Sequence, residues 1–164
     1  MAYVTLTTDA KSFHQYPTLA MSATSAAPIR LTASKPATSG GGIVFGSSLN
    51  YLKFKFYTDV SQTTNIAIYG WNYVVESGAY VPQLLVLLAG ACTAASTVLP
   101  GLGSTAQFEL TSWTPSQGDS KNYNGTSTNT PGGFILVDTL GCEYIEVRPY
   151  AAGSANFTFL AAGL

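Results

Sequence analysis

The amino-acid sequence predicts a single all-β domain, an antiparallel two-sheet sandwich or jelly roll of about eight strands. Short segments of alternating apolar and polar residues recur along the chain, and strand side chains change face at every residue. Gly, Ser, Thr, Asn and Pro fill the segments between them, as turns require. No long window carries the 3.6-residue apolar period of a helix, which excludes a helical bundle.

Two neighbouring segments carry the clearest strand patterns. In residues 51–57, one face carries Leu52, Phe54 and Phe56, and the other carries Tyr51, Lys53, Lys55 and Tyr57. Residues 59–64 read as the turn that follows. In residues 65–75, Ile66, Ile68, Asn72 and Val74 share one face, and Ala67, Tyr69, Trp71 and Tyr73 share the other. Because both faces of this second segment are largely apolar or aromatic, we expect a central strand or one that packs against a partner.

The remaining strand candidates are residues 3–8, 29–34, 42–45, 80–88, 106–112, 133–137, 143–150 and 156–161. The last two are expected to form a hairpin around the four-residue loop 151–154. Residues 115–132 form the longest predicted loop, and residues 1–28 are a candidate extended arm of the single domain 1–164. The expected core is Leu52, Phe54, Phe56, Ile66, Ile68, Val86, Phe108, Ile145 and Phe157.

Composition separates this chain from several functional classes. Charged residues make up only 9% of the 164 residues, apolar residues 46%, and the net charge is −1. A weakly charged surface suits a protein that works within an assembly, although a stable secreted β domain fits the composition equally well. No basic cluster exists to contact nucleic-acid phosphates. Residues 84–99 are too short and polar for a membrane helix, and the first residues do not resemble a signal peptide.

The sequence contains no recognisable catalytic, metal or cofactor motif. The single histidine, His14, has no nucleophile motif around it and is interpreted as a loop residue. Cys92 and Cys142 match no zinc spacing and are expected to be two buried free thiols, with a disulfide as the alternative. Residues 101–106 match a dinucleotide fingerprint by letter, but an alternating strand pattern follows them instead of a helix. Residues 118–125 resemble a calcium loop that lacks its final glutamate, because Pro131 stands there.

Aromatic side chains are the one abundant group of candidate binding residues in this sequence. Tyr69, Trp71 and Tyr73 on one strand face, with Trp113 and Tyr123 elsewhere, are candidate contacts for a partner or a glycan. Sugar binding needs aromatic faces in solvent, whereas a core or subunit interface would bury the same side chains. The sequence favours a core or subunit interface, with sugar binding as the alternative.

The C-terminal segments 142–150 and 154–160, and the low-charge Thr/Ser/Gly-rich chain as a whole, resemble small bacteriophage virion proteins. The resemblance is to the jelly-roll head decoration, or cement, proteins that bind as trimers at three-fold positions of phage heads. It implies a non-enzymatic capsid protein without cofactors, made in the host cytoplasm and located in the virion. The implied partners are the major capsid protein and two further copies in a homotrimer, with no nucleic acid and no membrane. The alternative function is a carbohydrate-binding β-sandwich module of a phage tail or lectin-like protein.

Overall fold

The computed structural model describes residues 3–5, 14–15, 19–20, 43–46, 50–95, 106–118, 134–150 and 155–163. Within these residues the chain is all-β and has no helix. The first strands are β1 (Tyr3–Thr5), β2 (His14–Gln15), β3 (Leu19–Ala20), β4 (Ile43–Gly46), β5 (Tyr51–Thr58) and β6 (Gln62–Val74). They are followed by β7 (Ala79–Ala95), β8 (Phe108–Gln117), β9 (Ile135–Asp138), β10 (Tyr144–Tyr150) and β11 (Asn156–Gly163).

All eleven described strands are hydrogen-bonded into one continuous sheet. Its order is β1-β4-β10-β6-β7-β8-β5-β11-β2, with β3 also paired to β11 and β9 to β5. Every described pair is antiparallel except β1 with β4. The expected antiparallel all-β class is therefore confirmed.

The sheet curls, and the route of the C-terminal strands demonstrates it. The predicted hairpin between β10 and β11 is wrong: β10 pairs with β4 and β6, whereas β11 pairs with β5, β2 and β3. Only residues 151–155 join the two strands, and six peptide steps span at most about 20 Å. Strands five places apart in the order must therefore lie close in space, as they do when a sheet folds over a shared core.

That core contains the expected residues. Eight of the nine predicted members are buried, and Phe108 is partly buried against them. Phe54, Phe56, Phe157 and Phe159 form a contiguous aromatic group on β5 and β11, with ring centroids 5.5–6.2 Å apart. Such pairs add stabilisation of about 0.5–1.5 kcal/mol each beyond their buried area. The alternation of residues along β5 and β11 thus explains why these four phenylalanines face the core.

A bulge between β6 and β7 sets which side chains face the core. Ile68 pairs with Val86 and Tyr69 pairs with Leu84, so Leu85 is an extra residue on β7. Leu85 and Val86 are both buried in the main core. The bulge therefore places two successive residues on the inner face.

Several predicted boundaries differ from the observed ones. The turn expected at 59–64 is shorter, because β6 begins at Gln62, and β7 and β8 extend well past their predicted ends. β2 and β3 were not predicted, and β2 places His14 in a strand rather than a loop. The described parts of residues 1–28 join the sheet. The strand expected at 29–34, the fingerprint at 101–105 and most of the long loop lie outside the described residues, but a strand does follow the fingerprint at β8.

Candidate interaction surface on the outer face

The outer face of β6 carries a second buried cluster, separate from the main core. β6 lies between β7 and β10, and Ala67, Tyr69 and Trp71 point away from the core residues Ile66 and Ile68. The partly buried side chains packed against this cluster are Tyr80, Leu84, Leu87 and Tyr144. β6 is therefore a central strand, one of the two alternatives predicted for this segment. Its outer-face residues Ala67, Tyr69 and Trp71 are buried within one chain.

A buried carboxylate lies beside this cluster. The Trp71 indole Nε1 donates a hydrogen bond of 3.1 Å to Glu146 Oε2. The Arg148 guanidinium approaches Glu146 Oε1 at 3.6 Å, and this oxygen accepts no hydrogen bond. Burial raises the pKa of the Glu146 carboxyl to about 7, although Arg148 and the Trp71 hydrogen bond both act to lower it. Desolvation outweighs the ion pair because Glu146 is fully buried.

A row of three tyrosines continues this face toward the solvent. Tyr73 and Tyr80 meet edge to face with centroids 5.3 Å apart, and Tyr80 meets Tyr144 at 5.2 Å in the same manner. The carboxylate of Glu143 accepts hydrogen bonds from the Tyr73 backbone N–H at 3.3 Å and from the Tyr80 hydroxyl at 3.4 Å. Glu143 thus fixes the end of β6 to the start of β7, beyond the point where β10 pairs with β6.

The β6–β7 connection projects past its neighbours. Within the described residues, β10 pairs with β6 over 65–71 and β8 pairs with β7 over 87–95, whereas β6 and β7 stay paired as far as Val74 and Ala79. We call residues 72–83 the projecting hairpin. It carries three of the six exposed large apolar side chains of the described chain: Tyr73, Val75 and Val81, with 43%, 77% and 47% of their surface exposed.

The tip of the projecting hairpin is an ordered turn. The backbone N–H of Ser77 bonds the Val74 carbonyl at 3.2 Å, and that of Gly78 bonds the Val75 carbonyl at 3.2 Å. Gly78 has φ +60°, a conformation that costs a glycine far less than other residues. The turn therefore holds Val75 and Glu76 in defined, exposed positions.

The described aromatic candidates do not form one exposed surface, although Tyr69, Trp71 and Tyr73 share the outer face of β6 as predicted. Tyr69 and Trp71 are buried in the outer cluster, and Trp113 is buried in the main core. Tyr73 alone among these four is exposed. Tyr123 lies outside the described residues.

Sequence reasoning missed Tyr80, Tyr144 and the apolar tip residues Val75 and Val81. Tyr80 and Tyr144 each stood inside a predicted strand, but nothing in the sequence revealed that those strands flank β6 on opposite sides. The short segment Glu76-Ser77-Gly78 between two apolar runs was the available signal for a tight hairpin.

The two cysteines are inaccessible to solvent. Cys92 and Cys142 are buried free thiols, as expected. Burial raises the pKa of both thiols, that of Cys92 to about 12. Among the described residues, no group of three or more His, Cys, Asp or Glu side chains could hold a metal ion. The described part of the chain also contains no helix of the length and apolarity that a membrane span requires.

Comparisons with protein-family models, curated proteins and solved structures found no match for this chain.

Proposed function

We propose that this chain is a non-enzymatic structural protein of a bacteriophage particle, a head decoration protein that binds and stabilises the assembled head. The observation that carries the proposal is the gathering of exposed apolar side chains on the projecting hairpin of a rigid, weakly charged β domain. Exposed apolar side chains gathered on one projecting element are typical of a protein that sits against a partner. The proposed partner is the major capsid protein, and the proposed location is the virion.

The long central strands of the domain are suited to a protein that holds capsid subunits together. β6 and β7 are 13 and 17 residues long; β6 is buried on both faces over residues 66–71, and β7 buries Leu85, Val86, Leu88 and Cys92 in the main core. Covered faces and dense aromatic packing resist local opening, because a local opening would expose much apolar surface. A two-sheet jelly-roll arrangement of the curled sheet is part of the proposal.

A homotrimer is the proposed oligomeric state. A three-fold position on a shell calls for three copies, and three weak contacts then act together as one strong contact. The low charge of the chain supports a partly covered surface. The apolar outer face of β6 gives no further support, because Ala67, Tyr69 and Trp71 are already buried within one chain.

The test is co-sedimentation of the purified chain with emptied heads of the phage that encodes it, together with sedimentation of the chain alone. We expect saturable binding with hundreds of copies per head, and a trimer in solution. About a dozen copies per particle would indicate a neck or tail position instead. A monomer with no affinity for heads would contradict both the decoration role and the trimer.

Carbohydrate binding is a second candidate function, favoured by one specific contact. Tyr73 is exposed beside the Glu143 carboxylate, and an aromatic side chain with a nearby hydrogen-bond acceptor can hold a sugar ring. Saturable glycan-array signals lost on Tyr73→Ala would favour this function. The same array with Val60→Ala, which changes an exposed residue in the β5–β6 turn, is the control.

A further inference from the structure

We infer that the projecting hairpin is the docking element of this chain, and that it inserts into an apolar cleft with basic groups at its rim on the capsid partner. The inference rests on the proposed decoration function and specifies its contact.

The first support is shape. Residues 72–74 and 79–83 extend past the paired parts of β10 and β8 as a two-stranded ribbon within the described structure. An isolated two-stranded ribbon is of marginal stability in water. Here the ribbon continues the longest strands of the sheet, and the Glu143 carboxylate ties both of its strands together at the base.

The second support is that the ribbon carries exposed apolar side chains on both faces. Tyr73 and Tyr80 form a register pair on the outer face, and Val81 lies on the opposite face because successive strand residues alternate. Val75 adds an apolar side chain at the tip, where it is the most exposed of the large apolar residues described. A flat docking patch would need one apolar face. Apolar side chains on both faces and at the tip are covered together only when a partner encloses the ribbon.

The third support is charge. Glu76 at the tip and Glu143 at the base are exposed, and residues 72–83 contain no Lys or Arg. The described cations, Lys53, Lys55 and Arg148, lie on β5 and β10. A basic rim on the partner complements the hairpin, whereas the same hairpin of a second copy would bring like charges together.

The ring geometry favours a protein cleft over a sugar. The Tyr80 ring makes edge-to-face contacts with Tyr73 at 64° and with Tyr144 at 78°. Tyr80, with a ring packed on each side, therefore has less free face for stacking on a pyranose. The ordered turn and the Glu143 hydrogen bonds also mean that the hairpin loses little conformational freedom on binding.

The experiment compares head binding by the wild-type chain, the double variant Val75→Ser/Val81→Ser and the matched control Val60→Ser. Val60 and Val81 have the same exposed fraction, 47%, but Val60 lies in the β5–β6 turn. We expect the double variant to bind emptied heads at least about tenfold more weakly, since two apolar anchors are removed. The control should bind as the wild type does. Glu76→Lys should also weaken binding, and more so at low salt.

The outcomes separate the two proposals. If the wild-type chain does not bind heads, the decoration function is wrong and this inference falls with it. If the wild-type chain binds and the double variant binds equally well, the decoration function stands and the docking assignment is wrong. Loss of self-association in the double variant with head binding intact would assign the hairpin to a contact between copies and would overturn the inference.

Discussion

Glu146 is a carboxylic acid in an environment that changes its ordinary chemistry. Its carboxyl is fully buried, accepts one hydrogen bond from Trp71 and stands 3.6 Å from the Arg148 guanidinium. Breaking such a pair by removing one partner is costly, because the other charge stays buried without compensation. Replacing Glu146 by glutamine is milder than truncating it, because glutamine keeps the shape of the side chain. The Glu146→Gln variant therefore reports the effect of the ionisable group.

We predict that Glu146 makes the protein less stable as pH rises from about 4.5 to about 7. The folded pKa is about 7, against 4.5 for the unconstrained side chain, so the folded state holds a proton that the unfolded chain has released. The stabilisation is complete below pH 4.5 and lost above pH 7, and it amounts to at most roughly 3 kcal/mol. Urea unfolding of wild type and Glu146→Gln should therefore diverge across this window. Glu76→Gln, at an exposed carboxylate, is the control. Parallel curves for wild type and Glu146→Gln would contradict the prediction.

Position 70 requires glycine because a neighbouring side chain leaves no room for a Cβ. The backbone angle at Gly70 does not itself require glycine. A Cβ at this position would overlap the Cys142 sulphur and lie 2.8 Å from Cys142 Cβ. We predict that Gly70→Ala lowers the free energy of unfolding by roughly 1–3 kcal/mol through overpacking. The double variant Gly70→Ala/Cys142→Ala should cost less than the sum of the single changes, because the closest overlap is gone. Strictly additive costs in denaturant unfolding would show that the two residues are not coupled.

At the scale of the element, β6 and β7 illustrate both the strength and the limit of pattern reasoning. The two faces of β6 were predictable, because its alternation separates Ile66 and Ile68 from Tyr69 and Trp71. The bulge at Leu85 was not, because the apolar run around it reads the same with or without an extra residue. The sequence also did not indicate that β10 pairs with β6 and not with β11. Alternation is a local pattern, whereas strand partners depend on the packing of the whole core.

The bulge gives an element-scale prediction. Leu85 is fully buried on the inner face, so Leu85→Ala should cost roughly 2–5 kcal/mol by leaving a cavity. On the same strand pair, Val75→Ser at the exposed tip should change stability by no more than about 0.5 kcal/mol. Thermal or urea unfolding of the two variants measures both. Equal costs would mean that the bulge does not place Leu85 in the core.

At the scale of the whole molecule, composition and alternation were sufficient for the all-β class and for most of the core. They were not sufficient for the candidate site. Trp71 and Trp113 stood out in the sequence as the largest aromatic side chains, yet both are buried. The exposed surface is formed instead by Tyr73, Val75 and Val81 of the projecting hairpin. The type of a residue indicates which contacts its side chain can make. Whether that side chain is exposed depends on the fold, here on how far the projecting hairpin extends past the neighbouring strands.

The most direct measurement is an electron cryo-microscopy reconstruction of emptied phage heads saturated with the chain. We predict density for three copies at each three-fold position of the outer surface, with residues 72–83 of every copy enclosed by the capsid protein. Heads without added density, or bound copies whose residues 72–83 point into solvent, would contradict this assignment.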